Sequence, residues 1–136
     1  MIAALTTLAL AQAAQPRLDP RTAIYELRIY HAAPGKLDAL SARFRGHTLK
    51  LFERHGMTNV AYWVEQPNEK SPGGRVVYVL AYPSREAREK AWAAFGADPE
   101  WRAVAAASEA NGKLVERVES IFMTQADYSP PIRLVR

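Results

Sequence analysis

Eight consecutive residues, Arg75–Tyr82 (RVVYVLAY), leave no side of an extended chain polar. Val77, Val79 and Ala81 alternate with Tyr78, Leu80 and Tyr82, so a strand built from them is apolar on both faces, as a central strand must be. A sheet that contains it needs cover on both sides, and the rest of the chain determines where that cover comes from.

Ala23–Ala32 (AIYELRIYHA) has a period of two, with Tyr25, Leu27 and Ile29 on one side and Glu26 and Arg28 on the other, which predicts a strand. Pro34-Gly35 turns the chain into a helix. From Gly35 to about His55, Leu37, Leu40, Phe44, Leu51 and His55 recur at about 100° per residue. That spacing predicts one amphipathic helix of about five turns, stopped at Gly56. A second strand follows over Thr58–Gln66, then a loop rich in turn formers (PNEKSPGG), then the apolar strand. Ser84 reads as the N-cap of a helix with Ala87, Ala91, Trp92 and Phe95 on its apolar stripe and Gly96 at its end. Asp98 and Pro99 open a further short helix as N-cap and first helical residue. Lys113–Gln125 is the last strand, and ADYSPPIRLVR is an extended tail.

The order β-α-β-β-α(α)-β predicts an α+β, ferredoxin-like domain over residues 22–126, with one antiparallel sheet and its helices on one face, and a tail over 127–136. Helices on one face leave the other bare, with no segment left to cover it. A homodimer in which two sheets meet is therefore expected, forming a dimeric α/β barrel, with Glu26 and Arg28 paired inside the seam or at its rim.

A chain of 136 residues is one domain. Its net charge of +4 comes from Lys and Arg residues spread among acids, without the dense cluster that a nucleic acid needs. The absence of cysteine excludes disulfides, thiolate catalysis and Cys-ligated zinc. Residues 1–14 form an apolar run followed by Ala11-Gln12-Ala13, either a truncated export signal or an apolar arm. The run falls short of the roughly 20 apolar residues that cross a bilayer, so no integral span is expected. A signal places the protein in the periplasm or outside the cell; an arm leaves it in the cytoplasm.

YELRIY in the first strand, APGKLDAL and HTLKLFERHG in the first helix and DPEW after the second together resemble a NIPSNAP-family domain from about Tyr25 to Thr124. The resemblance implies a dimeric α/β-barrel fold. It brings no settled activity, and its fold relatives include cofactor-free monooxygenases and dye-decolourising peroxidases.

Histidines and aromatics are the residues that could carry chemistry. His47 and His55 are both expected to lean toward the sheet. His47, in a pocket between sheet and helices, is the candidate general base. His55, one turn from the helix end, suits the helix dipole. One metal cannot bridge the two, about 12 Å apart along a helix, and His31 adds no ligand spacing, so no metal site is expected. Tyr25, Arg28, Tyr62, Tyr82, Trp92 and Trp101 are the candidate ligand-binding residues, lining an apolar pocket with polar tips for a small, flat ligand. No P-loop, dinucleotide fingerprint, nucleophile elbow or paired-carboxylate motif is present, and no cofactor is expected. Three functions remain open: a small-molecule-binding or accessory protein, a cofactor-independent monooxygenase or isomerase with His47 as base and Tyr25 and Tyr62 orienting substrate, and a pure interaction module.

Overall fold

The computed structural model describes residues 17–135. The apolar segment 1–14 lies outside them. Four strands, β1 (Ile24–Ala32), β2 (Thr58–Glu65), β3 (Arg75–Tyr82) and β4 (Val115–Met123), form one antiparallel sheet in the order β2-β3-β1-β4. The apolar strand β3 is central, as its sequence demands. Between the strands run α1 (Leu37–Arg43), a π-helical turn (Phe44–Thr48), α2 (Leu49–Arg54), α3 (Arg85–Ala97) and α4 (Pro99–Ser108). No helix of the described residues is long and apolar enough to cross a membrane.

Local signals set the ends of these elements. The Ser84 hydroxyl accepts from Ala87 N–H at 3.0 Å at the start of α3, and Asp98 accepts from Glu100 N–H at 2.8 Å at the start of α4. Gly56 ends α2 at a φ of +81°, open to glycine at little cost. At Gly73 a Cβ would sit 1.8 Å from the Ala32 carbonyl oxygen, so any side chain there would lift the loop off the end of β1.

The helices pack Leu40, Phe44, Leu51, Phe52, Ala91 and Phe95 onto Val76, Tyr78, Leu80 and Tyr82 of the sheet. Three sequence expectations change here. The first helix is not one uniform α-helix. In its π turn the Leu49 N–H bonds Phe44 O, five residues back, and Thr48 Oγ1 donates to Arg43 O at 3.2 Å. The wider turn advances the helix phase by one residue, so buried Thr48 takes the inward position and His47 is exposed.

Glu26 and Arg28 also face the other way from the expected seam. They pair across the ladder with Leu80 and Tyr78, residues of the helix-covered face, and directly opposed residues share a face. Tyr25, Leu27 and Ile29 hold the open face instead.

That open face is not wholly bare. Leu18 before β1 and Ile132 and Leu134 of the tail pack against Ala23, Tyr25, Val79 and Ala81. The tail therefore supplies cover that no segment was expected to give. The other part of the face stays uncovered: Trp63 is 55 % exposed and Ile121 50 %, and both lie on this side by their register with Val77 and Leu27.

Candidate functional site

The helix side of β1 carries a fully buried carboxylate. Glu26 Oε1 accepts from Tyr82 Oη at 2.7 Å and Arg88 Nε at 3.1 Å; Oε2 accepts from Arg28 Nη1 at 2.9 Å, Arg88 Nη2 at 2.8 Å and Ser120 Oγ at 2.6 Å. Burial alone pushes the Glu26 pKa up. The hydrogen bonds from Arg88, Ser120 and Tyr82, with the charge of Arg28, outweigh it and bring it down to about 2. Glu26 is thus a fixed anion whose lone pairs are filled. It can orient its donors but has no room to take a proton from a substrate.

The donors are placed by three strands and a helix. Arg88 and Trp92 are four residues apart on α3 and so share the face turned to the sheet. Trp92 Nε1 donates to Tyr82 Oη at 2.8 Å. Burial, then the hydrogen bond to Glu26, raises the Tyr82 pKa and keeps this phenol neutral. Arg28 Nε donates to Tyr78 Oη at 3.0 Å, and the guanidinium carbon lies 4.2 Å from the centroid of the Trp92 ring and 5.6 Å from that of Tyr30. The Tyr30 hydroxyl is a further hydrogen-bond partner of Arg28. Phe122 continues the wall, with the Arg85 guanidinium 3.5 Å and that of Arg88 5.3 Å from its ring centroid.

The two arginines are balanced by two carboxylates, buried Glu26 and Glu89, which reaches Arg88 from solvent at 3.2 Å. The site is open along β4. Val118 and Ser120 pair with Tyr30 and Arg28 and so face the helix side, yet both are exposed because no helix lies over them. Such an arrangement can bind and orient a ligand.

Of the candidate residues, Arg28, Tyr82 and Trp92 come together here. Tyr62 lies in the same layer toward β2, stacked on Tyr78 at 5.1 Å and 6°, its hydroxyl on Asn59 Oδ1 at 2.5 Å. Trp101 anchors α4, 4.5 Å from Phe95 between ring centroids, with the Arg43 guanidinium 5.2 Å away. Tyr25 is on the opposite face of the sheet, its hydroxyl donating to Pro20 O at 2.8 Å. His47 is exposed on the outer side of its helix rather than in the layer beneath. His55 Nε2 is 2.7 Å from Asp98 Oδ2 and ties the end of α2 to the start of α4. His31 is 2.7 Å from Glu119 on the open face. No histidine therefore sits between sheet and helices. Tyr30, Arg88, Ser120 and Phe122 are site residues that the sequence did not single out. The i, i+4 spacing of Arg88 and Trp92 was the one available signal; the others come from cross-strand register.

A family model for NIPSNAP matches residues 25–130. The chain belongs to the NIPSNAP family. Every residue of the Glu26 cluster falls inside the matched NIPSNAP domain. A NIPSNAP-like domain protein of Burkholderia xenovorans, uncharacterized, is 21 % identical and superposes with a TM-score of 0.70 over 85 % of this chain and 96 % of its own. A NIPSNAP family protein of unknown function from Agrobacterium tumefaciens is 24 % identical, with a TM-score of 0.66 over 83 % and 96 %. SnoaB, a cofactor-independent oxygenase from Streptomyces nogalater, is 17 % identical, with a TM-score of 0.51 over 81 % of this chain and 99 % of its own. At these identities the likeness is one of fold: the NIPSNAP domain has the ferredoxin-like unit of the dimeric α/β barrels. No curated protein matches the sequence.

Proposed function

We propose that this NIPSNAP-domain protein is a homodimer that binds a small, flat, largely apolar molecule on the helix side of its sheet, beside Arg28. One observation supports the reading: the Glu26 network holds Arg28 between Trp92 and Tyr30, and this polar-tipped aromatic layer is left uncovered along β4, where Val118 and Ser120 are exposed. The uncovered part of the open face, around Trp63 and Ile121, supports the homodimer, because a second sheet is the surface that matches it. Export, read from residues 1–14, is proposed with it and is checked by cell fractionation.

A histidine-based enzyme receives no support from the positions of His31, His47 and His55. The binding reading is tested by titrating flat apolar compounds while following the three tryptophan indole N–H resonances. The expected result is that binders move Trp92 while Trp63 stays fixed. Binders that move only Trp63 or Trp101, or a library that moves none, would refute it.

A further inference from the structure

We infer that the face through which two copies meet is pH-sensitive: the dimer forms with His31 neutral and separates when His31 takes a proton. This goes beyond the ligand reading and rests on the homodimer proposed with it. A row of charged side chains at one end of the open face argues for it.

The row crosses all four strands. Glu65 pairs across the ladder with Arg75, Arg75 with His31, and His31 with Arg117, so the four share the open face. Glu119 stands one step further in, opposite Ile29 and two residues from Ile121 on β4. Ile121 belongs to the uncovered part of that face. A second sheet laid over it therefore reaches Glu119 and the imidazole beside it.

His31 Nε2 is 2.7 Å from Glu119 Oε2, and Arg117 Nη1 is 3.4 Å from Oε1. The hydrogen bond from His31, then the neighbouring cations, hold the Glu119 carboxyl below its ordinary range, so it is ionised and only accepts. His31 Nε2 is then the donor, and a neutral imidazole makes that bond in full. A further proton goes to Nδ1. It adds charge without adding a contact to Glu119.

The surrounding charges are balanced without that proton. Arg75 is bound to Glu65, and Arg117 reaches Glu119. On its loop side His31 lines a cleft of about 250 Å³ with Lys70, Glu116 and Arg117. The cations Arg75, Arg117 and Lys70 are thus matched by Glu65, Glu119 and Glu116. Protonated His31 leaves one charge in excess. In a single chain water takes up that charge, since Glu119 is 42 % exposed. A symmetric interface brings the same row from both copies, so it would confine two such charges and strip their water. Separate chains hold the proton better, and acid drives the equilibrium toward them.

Sedimentation equilibrium of the full chain between about pH 8 and about pH 5 tests the switch, the range in which histidine changes charge. The association constant is expected to fall at least about tenfold across it, each dimer holding two copies of His31. His31→Gln still offers an N–H to Glu119 but does not titrate, and is expected to dimerise equally throughout. His47→Gln and His55→Gln are expected to keep the parent's dependence. If His31→Gln fails to fold, dilution calorimetry of the parent in buffers of unlike ionisation enthalpy still reads the switch: the chains should take up protons as they separate. A dimer of constant strength, no proton uptake, or a dependence kept by His31→Gln would overturn the switch and leave the homodimer standing. A single chain at every pH would overturn both.

Discussion

Arg28 Nη1 lies 2.9 Å from Glu26 Oε2, and the two residues are separated by a single position on one strand, both turned toward the helices. A strand places i and i+2 on the same face, so the pair is pre-assembled by the backbone before any helix docks. Arg88 then closes over it from α3. Breaking such a network from the carboxylate side strands two guanidinium groups. Glu26→Gln is therefore expected to cost about 3–5 kcal/mol, read from the midpoint of urea unfolding at unchanged slope. A loss under 1 kcal/mol would mean that the arginines are solvated rather than held.

The same network sets an acid limit. Glu26 has a folded pKa near 2 against an ordinary value of 4.5. A depressed carboxylate contributes stability in full above its unfolded pKa and loses it as pH falls through the folded one. Stability should thus decline between about pH 4.5 and 2. Asp98, lowered to about 2 first by the His55 hydrogen bond and then by its other donors, titrates in the same window. Acid titration of Asp98→Asn and Glu26→Gln separates the two: each variant should flatten part of the decline seen in the parent.

His47→Ala should change stability by no more than about 0.5 kcal/mol, because it is an exposed surface residue, and should leave ligand affinity unchanged. Thr48→Val, one position on, should cost about 1 kcal/mol through loss of its hydrogen bond to Arg43 O inside the helix layer. The reverse ranking in thermal unfolding would show that the helix keeps a regular α phase in solution.

These two neighbours show where the sequence was legible and where it was not. Period-two and period-3.6 patterns are properties of single segments, and they located all four strands, both N-caps and the central place of β3. A π turn adds one residue to a helix without changing its composition, so a wheel drawn at 100° carried His47 inward when Thr48 takes that place. Alternation in β1 separated Tyr25, Leu27 and Ile29 from Glu26 and Arg28, yet it could not say which set meets the helices. The partners that make the charged side the inner one, Tyr82, Arg88 and Ser120, lie 56, 62 and 94 residues away. The tail's sequence reads as extended, and Ile132 and Leu134 are too sparse a pattern to announce that they fold back onto Tyr25 and Val79.

Ile121→Lys puts a charge in the uncovered part of the open face, on the edge strand β4 and on the side away from the Glu26 cluster. It is expected to shift the protein from dimer to monomer in sedimentation equilibrium with its circular dichroism unchanged. Removal of residues 128–136 should leave the dimer but lower stability by about 2 kcal/mol or less, since it strips partly buried Ile132 and Leu134 from Tyr25 and Val79.

Native mass spectrometry of the gently purified protein tests the central claim most directly. The account predicts a particle of twice the chain mass that retains an added flat apolar compound, one that moves the Trp92 indole resonance. Bare single chains that take up no probe, under conditions where the fold is intact, would contradict it.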